Sequence, residues 1–331
     1  MKLTPEQQHW LYALQRPWPL EPAPLVALAR TLNTTEAALT DFIGALRAAG
    51  RVRRIGGVFD ARRLGYRSCL FGVQTSTPEA LQRAAERVSA LPGVTHAYTR
   101  GWPEGVVIDN TCAADYVGYP NLWYTLSAPA ASFEATAAQL APLNPIAFPA
   151  LTRYKIDVVF DLRTRKRDET TEYISPDATV PPAIITPEQQ AIVRRYQEDT
   201  EAITAPFRED DLPQLRAWQA DGTMRRFALL LYHRANGFTA NGMCCWQVPQ
   251  EALDHFGRRL AAMPEVTHCY ARPENAAFPF TLYAMIHHTS WEAAYEVFNR
   301  LTREAGLDAT PRKIFFSTHE YKKSSLRFFL P

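Results

Sequence analysis

Val94-Thr95-His96-Ala97-Tyr98-Thr99-Arg100 is repeated later in the chain as Val266-Thr267-His268-Cys269-Tyr270-Ala271-Arg272. Each copy comes directly after a sequence pattern that ends a helix. Each is short enough to form a single strand. Alternate residues of a strand point to the same side of the sheet, so His, Tyr and Arg share one face in each copy. Two basic and aromatic faces of this kind predict one pocket that is built from two similar halves.

The repetition extends over most of the chain, which makes an internal duplication the first expectation. With the two strands aligned, other separated segments also come into register. The matching segments are Arg53-Arg54 with Arg225-Arg226, Pro92 with Pro264, Thr4-Pro5-Glu6-Gln7-Gln8 with Thr186-Pro187-Glu188-Gln189-Gln190, and Tyr154-Lys155 with Tyr321-Lys322. Because several independent segments agree, the chain is predicted to contain two tandem copies of one module.

The composition narrows the class of protein. A chain of 331 residues with 47% hydrophobic residues is long enough for two or three domains with their own cores. A formal net charge of +2 gives no overall field that would hold nucleic acid or a membrane, so an anion site must come from local arginines. The five cysteines form no CxxC pair, and neither a signal segment nor a long apolar run is found. These features predict a cytoplasmic protein without structural zinc.

The order of helices and strands predicts an α+β fold for each copy. In the first copy, three helical stretches within residues 4–49 lead into a strand-turn-strand wing at 51–60, which is typical of a winged helix-turn-helix. Residues 68–162 then follow the order strand, helix, strand, strand, helix, strand, which is ferredoxin-like βαββαβ. The second copy repeats this order but is shorter before Arg225 by about the length of one helix. Its helix-turn-helix is therefore predicted to be eroded.

These patterns divide the chain into five parts. They are a winged helix-turn-helix at 1–62, a ferredoxin-like domain at 63–162, a linker at 163–185, a reduced winged helix-turn-helix at 186–234 and a second ferredoxin-like domain at 235–331. The linker is assigned because it is rich in Arg, Lys and Pro and lacks apolar periodicity. Residues 100–119 form an insertion relative to 272–278, and an insertion beside the repeated strand favours a lid.

A winged helix-turn-helix makes DNA binding an alternative function. The predicted recognition helix at 35–49 contains Arg47 as its one basic residue, whereas Glu36 and Asp41 would repel phosphates. The second copy is too short for a complete helix-turn-helix. A ligand-sensing transcriptional regulator remains an alternative, although the charges on this helix disfavour it.

Several motifs carry a resemblance that covers nearly the whole chain. They are Arg53-Arg54-Ile55-Gly56-Gly57-Val58-Phe59 with Leu64-Gly65-Tyr66, Gly93-Val94-Thr95-His96, Tyr119-Pro120-Asn121-Leu122-Trp123, Val266-Thr267-His268-Cys269-Tyr270, Met285-Ile286-His287 and Glu320-Tyr321-Lys322-Lys323-Ser324. Together they resemble the siroheme decarboxylases of the alternative heme and heme d1 pathways, within the wider Lrp/AsnC-like group. The resemblance implies the form in which two related subunits are fused. Arg226-Phe227-Ala228 departs from the Arg-Ile-Gly that is usual in this family.

The resemblance implies a carbon-carbon lyase that removes carbon dioxide from two acetate side chains of siroheme and yields didecarboxysiroheme. Loss of carbon dioxide leaves a carbanion equivalent, so the macrocycle must accept the electrons and an acid must supply a proton. Neither an organic cofactor nor a protein-bound metal is implied, because the iron belongs to the siroheme.

The resemblance also implies the binding partners. They are siroheme, its decarboxylated products and other enzymes of the tetrapyrrole pathway, with neither nucleic acid nor membrane among them. The two fused copies would form a pseudo-heterodimer within one chain, which leaves room for a further homodimer.

The repeated strands and the wing contain the candidate site residues. His96 and His268 are the catalytic candidates, because an imidazole with a pKa of about 6.5 can give and take a proton near neutral pH. Arginine suits a substrate carboxylate because its planar guanidinium group binds both carboxylate oxygens and keeps its positive charge. The substrate-binding candidates are Arg53, Arg54, Arg100, Arg225, Arg226, Arg272, Tyr98, Tyr270, Lys155 and Lys322.

Each candidate also has an ordinary structural explanation. A strand histidine is commonly structural, arginines commonly pair with acidic neighbours, and Tyr98 and Tyr270 also fit a core. His287-His288 is interpreted as structural, with an iron-ligand role as its alternative, and His233 is a weaker candidate. An iron-facing role is also open for His96 and His268. Cys244-Cys245 is interpreted as apolar filling. A ligand-sensing regulator and a non-catalytic tetrapyrrole carrier are the alternatives to the decarboxylase.

Overall fold

The computed structural model describes residues 2–156, 159–161, 163 and 184–330. Most of the predicted linker at 163–185 lies outside these residues. Among the described helices, none is both long and apolar enough to cross a lipid bilayer.

The first copy begins with a helical region, followed by strands that alternate with helices. Its helices are α1 (Pro5–Gln15), α2 (Pro24–Thr31), α3 (Glu36–Ala48), α4 (Pro78–Ala90) and α5 (Phe133–Ala138). Its strands are β1 (Val52–Phe59), β2 (Tyr66–Val73), β3 (Val94–Gly101), β4 (Leu122–Pro129), β5 (Ile146–Phe148) and β6 (Thr152–Ile156). The side chains of Thr4, Thr35 and Thr77 cap α1, α3 and α4 by accepting hydrogen bonds from backbone amides, so these helices begin where the sequence signals place them.

The second copy repeats this order with a shorter helical region. Its helices are α6 (Pro187–Tyr196), α7 (Leu212–Asp221), α8 (Leu253–Ala261) and α9 (Trp291–Ala305). Its strands are β7 (Met224–Leu231), β8 (Ala240–Trp246), β9 (Val266–Ala271), β10 (Leu282–His288) and β11 (Arg312–Lys323). The predicted α+β class and the duplication are confirmed. Before its first strand, the described part of this copy has α6 and α7 where the first copy has α1, α2 and α3.

One nine-stranded sheet runs through both copies in the order β5-β2-β4-β3-β11-β8-β10-β9-β6. Each copy keeps the ferredoxin-like strand order, with β5 in the outer place beside β2 in the first copy and β11 beside β8 in the second. The last strand of each copy pairs with the other copy. Strand β11 pairs with β8 through its first residues and with β3 through its last ones, while β6 pairs with β9. The last strand of each copy therefore lies beside the repeated His-containing strand of the other copy.

Residues 51–60 do not form the predicted strand-turn-strand wing. They form the single strand β1, which pairs antiparallel with β7 in a separate two-stranded sheet. Gly56 and Gly57 pack closely against other backbone here and make no turn. A Cβ atom on Gly56 would lie 2.5 Å from the backbone oxygen of Glu198. The wing prediction was wrong because the partner strand comes from the second copy.

The helical regions of both copies share one hydrophobic core. It includes the buried side chains Leu14 and Ile43 from the first copy and Val193, Leu215 and Met224 from the second. This core packs against one side of the β1–β7 sheet. It thereby holds the β1–β7 sheet in place over the nine-stranded sheet.

Within the predicted insertion at 100–119, Arg100 belongs to β3 and lines the cavity, whereas residues 102–119 join the two copies and do not form the expected lid. The ring of Trp102 lies 5.5 Å from that of Tyr295, and Tyr116 donates a hydrogen bond of 2.9 Å to the backbone oxygen of Ile314. None of the described residues 102–119 lines the central cavity. The lid prediction was wrong because the aromatic side chains of the insertion pack against the second copy.

Candidate functional site

A cavity of about 500 Å³ lies between the nine-stranded sheet and the β1–β7 sheet. Both copies of the repeated strand reach it. Strand β3 contributes His96, Tyr98 and Arg100, and strand β9 contributes His268, Tyr270 and Arg272. The period of two along each strand places these side chains on one face. The six residues predicted to share one pocket are therefore brought together.

The lining of the cavity is strongly basic. Arg53 and Arg225 extend into it from β1 and β7, as the sequence predicts. The cationic side chains along the cavity are Arg53, Arg62, Arg100, Arg153, Arg225, Arg272 and Lys323, against the single carboxylate of Asp60. A cavity with such an excess of positive charge concentrates anions, so it suits a ligand with many carboxylates.

Each repeated histidine is held by the threonine before it. His96 Nδ1 lies 2.9 Å from Thr95 Oγ1, and His268 Nδ1 lies 3.1 Å from Thr267 Oγ1. The imidazole and tyrosine ring centroids are 6.2 Å apart in the first strand and 6.3 Å apart in the second. Because Nδ1 is engaged, proton exchange with a ligand would occur at Nε2.

The charge state of His96 depends on its surroundings. Burial, reinforced by the positive charges of Arg53 and Lys323, lowers its pKa to about 3. The imidazole of His96 is therefore neutral at neutral pH. A bound polyanion would oppose these positive charges and favour the protonated form.

Arg100 and Arg272 have hydrogen-bonding atoms that the described residues leave unsatisfied. Arg100 Nη1 and Arg272 Nε are buried without a hydrogen-bond partner in that part of the chain. The same holds for further lining atoms, among them Tyr283 Oη and Asn241 Oδ1. An unsatisfied buried polar group destabilises a fold by about 1–3 kcal/mol. Four such groups around one cavity indicate a polar ligand.

Asp60 organises one end of the cavity. Its Oδ2 accepts hydrogen bonds of 2.8 Å from Arg153 and 2.9 Å from Arg62, and lies 3.8 Å from Arg225 Nε. Sequence reasoning missed Asp60, Arg62 and Arg153. The sequence contained a signal for Arg153, because this residue stands directly before the repeated Tyr154-Lys155 pair.

Arg54 and Arg226 do not line the cavity. Neighbouring residues of a strand face opposite sides, so Arg54 and Arg226 point away when Arg53 and Arg225 point in. Arg54 donates hydrogen bonds of 3.0 Å to the Gly57 backbone oxygen and 3.2 Å to Ser325 Oγ. These contacts are those of a structural residue.

Lys155 and Lys322 also lie outside the cavity lining. Lys155 Nζ donates a 2.9 Å hydrogen bond to the Met263 backbone oxygen, and Lys322 Nζ donates bonds of 2.8 and 3.0 Å to those of Ser89 and Leu91. The Met263 carbonyl lies just after helix α8, and the carbonyls of Ser89 and Leu91 lie at the end of helix α4. A cation binds favourably at the C-terminal end of a helix. The repetition of the two lysines is therefore explained by two equivalent helix ends.

Further basic residues, which the sequence reading did not place in the site, lie next to the histidine strands. His287 and Lys323 line the cavity, and Lys323 Nζ is hydrogen-bonded to His233 Nδ1. The rings of His233 and His287 are 5.5 Å apart. The signal was present in the Met285-Ile286-His287 and Glu320-to-Ser324 motifs, but neither motif is duplicated in full.

Cys244 and Cys245 are buried in β8, and burial raises the pKa of both thiols. Among the described residues, no group of three or more His, Cys, Asp or Glu side chains is placed to hold a metal ion. The imidazoles of the cavity are therefore considered as proton carriers or as ligands of a metal that the bound molecule itself contains.

Several known proteins similar to this chain are siroheme decarboxylases. The AsnC-like ligand binding domain family matches residues 235–322. The siroheme decarboxylase of Hydrogenobacter thermophilus is 30% identical over 335 residues, which cover 96% of this chain and 93% of that one. The siroheme decarboxylase beta subunit of Methanosarcina barkeri is 40% identical over 120 residues, 36% of this chain and 77% of that one. The crystal structure of the siroheme decarboxylase NirDL in co-complex with an iron-uroporphyrin III analogue is 26% identical, with a TM-score of 0.66 and coverage of 98% and 95%.

Proposed function

Because this chain belongs to the siroheme decarboxylase family, we propose that it removes carbon dioxide from siroheme in the cavity between its two copies. The observation that carries this assignment is the pair of His-Tyr-Arg strands that face one basic cavity. Siroheme has eight carboxylates, and the seven cationic side chains of the lining match a ligand of that charge.

The reaction converts two acetate side chains into methyl groups. In each, the carboxylate carbon leaves as carbon dioxide and the electron pair of the broken bond remains on the methylene carbon, conjugated with the macrocycle. A proton then completes the methyl group. His96 and His268 are the proposed proton donors, with each Nδ1 fixed by a threonine hydroxyl.

The arginines are proposed to hold the carboxylates that do not react. Arg100 and Arg272 supply the unsatisfied donors, and Arg53 and Arg225 approach from the opposite sheet. A strong contact to the reacting carboxylate would stabilise the substrate more than the transition state and slow the reaction. Tyr98 and Tyr270 complete the substrate-binding set, since both line the cavity beside these arginines.

The helical region is proposed to serve as a scaffold. We infer that the second copy contains a reduced helix-turn-helix, because α6 and α7 stand where the first copy has three helices. Arg47, the one basic residue of α3, forms a 2.9 Å ion pair with Asp199 of the second copy, which leaves it poorly placed for a phosphate. This ion pair disfavours the DNA-binding alternative, and cytoplasmic tetrapyrrole synthesis is the proposed setting.

Anaerobic incubation with siroheme tests the proposal. The full-length protein should release two molecules of carbon dioxide per siroheme, with mass spectrometry showing conversion to didecarboxysiroheme. Siroheme that is bound but unchanged would identify a carrier and contradict the enzyme. Retention on DNA at low salt, with a steep loss as salt rises, would instead favour the regulator.

A further inference from the structure

The two repeated histidines stand in different surroundings although their strands are copies. His96 in β3 is paired across the sheet with Thr125 in β4 and with Lys323 in β11. His268 in β9 is paired with Met285 in β10 and with Ile156 in β6. Directly paired residues of antiparallel strands place their side chains about 5 Å apart on the same face. The neighbours of His96 are polar, and those of His268 are apolar.

Each of these neighbours reaches the ligand space. Thr125, Lys323, Met285 and Ile156 all line the cavity. Lys323 and Ile156 occupy equivalent positions, because each lies on the last strand of one copy, beside the histidine strand of the other. One copy therefore presents an ammonium group where the other presents a hydrocarbon side chain.

Lys323 is held as a cation in contact with the cavity. Its ammonium group donates to Nδ1 of His233, whose counterpart in the first copy is Ala61. Burial lowers the pKa of Lys323 to about 8, which keeps it largely protonated at neutral pH. A carboxylate placed beside His96 therefore meets a cation at the position where a carboxylate beside His268 meets the hydrocarbon side chain of Ile156.

This difference affects the two decarboxylations unequally. The negative charge of the acetate leaves the carboxylate when carbon dioxide departs, so a cation at that carboxylate stabilises the substrate more than the transition state. At the described positions paired with His268, Met285 and Ile156 offer an acetate no cation, and the cation that β6 does contribute to the cavity, Arg153, is ion-paired with Asp60 at 2.8 Å. Burial of a carboxylate against hydrocarbon is unfavourable. The acetate beside His268 is the more reactive one.

We propose that the difference between Lys323 and Ile156 fixes the orientation of siroheme in the cavity, so that the acetate beside His268 loses carbon dioxide before the acetate beside His96. This inference rests on the proposed function and deepens it. Lys323 acts in it as a positioning and specificity-determining residue, which binds a carboxylate and transfers no proton.

Exchange of the two residues tests the proposal. The wild type, Lys323→Ile, Ile156→Lys and the double exchange are incubated anaerobically with siroheme, and the monodecarboxylated intermediate is isolated early and assigned by NMR. In the wild type one isomer should exceed the other about tenfold, the factor expected from one charge-assisted contact. Lys323→Ile and Ile156→Lys, which make the two positions alike, should give mixed isomers. The double exchange should make the other isomer predominate.

Further variants separate positioning from folding and catalysis. Lys323→Arg should keep the wild-type isomer and Lys323→Met should lose the preference, which provides a second comparison if Lys323→Ile does not fold.

The same predominant isomer in the wild type, in Lys323→Met and in the double exchange would overturn the inference. Loss of all turnover in Lys323→Met with unchanged siroheme affinity would also overturn it, because Lys323 would then be a proton donor. A wild type that releases carbon dioxide without isomer preference contradicts only this inference, whereas a wild type that releases none contradicts the proposed function itself.

Discussion

His96 is neutral at neutral pH because burial and the positive charges of Arg53 and Lys323 disfavour its protonated form. The same residues attract the carboxylates of siroheme. Binding therefore replaces an environment that repels a proton with one that attracts it. This change would give His96 a proton to donate only when substrate is present.

Siroheme binding should be accompanied by proton uptake near pH 7. The pKa of His96, about 3 without ligand, should rise toward or above its ordinary value of about 6.5 once carboxylates surround it. Since the liganded state binds more protons, affinity should fall as the pH rises from 6 to 9. Calorimetric titration in buffers of different ionisation enthalpy measures the uptake, and His96→Asn should reduce it. An affinity independent of buffer and pH would contradict this assignment.

Replacement of Arg100 should weaken siroheme binding. Its Nη1 is buried and unsatisfied by the described residues, so a substrate carboxylate is the expected acceptor. Loss of a charged hydrogen bond costs about 1.5–3 kcal/mol, which corresponds to a ten- to hundredfold higher Kd for Arg100→Gln. Titration followed by visible absorption measures the change. The matched control is Arg258→Gln on the outer surface of α8, and equal affinities of both variants would count against the clamp.

The sequence revealed part of the site because strand geometry is local. Alternation along β3 and β9 places His, Tyr and Arg of each copy on one face, and the cavity lies on that face. Repetition in the sequence alone does not distinguish site residues from structural ones as well. Lys155 and Lys322 are repeated because two helix ends require the same cap, and Arg54 is adjacent to a cavity residue but on the other side of its strand.

The sequence patterns could not predict which strands of the two copies pair with each other. The strand pattern of β6 and β11 predicts extended chain but does not identify the neighbouring strand. Residues 51–60 were predicted to form a strand-turn-strand wing, whereas the glycines of β1 permit close packing against the second copy. Asp60, Arg153 and Lys323 were missed for the same reason, since each reaches the cavity only through pairing between the copies.

Close packing of β6 on the second copy makes Gly257 intolerant of a side chain. A Cβ atom there would lie 2.2 Å from the ring of Tyr154, which is buried. Gly257→Ala should lower the free energy of unfolding by about 1–3 kcal/mol through overpacking. Gly44→Ala in α3 is the control, because nothing lies within 4 Å of its Cβ position. It should raise stability by about 0.5–1 kcal/mol. Denaturant titration measures both values, and equal effects would contradict the packing of β6 on α8.

The whole chain shares one sheet and one helical core between its copies. The nine-stranded sheet is continuous from β5 to β6, and the core beneath β1 and β7 contains residues of both copies. Neither copy encloses the cavity alone, because each supplies one histidine strand and the edge strand beside the histidine of the other. Duplication was visible in the sequence, but this mutual dependence was not.

Unfolding should therefore occur in one cooperative transition. The two copies cannot separate without breaking the β3–β11 and β6–β9 pairs and exposing their common core. Thermal unfolding followed by near-UV and far-UV circular dichroism should give coincident curves, with a calorimetric enthalpy equal to the van't Hoff value. Two resolved transitions would show that the copies are independent units.

Paired replacement of the repeated histidines tests the central claim most directly. His96→Asn/His268→Asn is compared with His255→Asn/His319→Asn, which alters two exposed histidines, in anaerobic incubation with siroheme and mass detection of the tetrapyrrole. The control should convert siroheme at the wild-type rate. The cavity variant should still bind siroheme but react at least about a hundredfold more slowly, as expected from the loss of a general acid. Conversion by the cavity variant at the wild-type rate would show that His96 and His268 are not the proton donors.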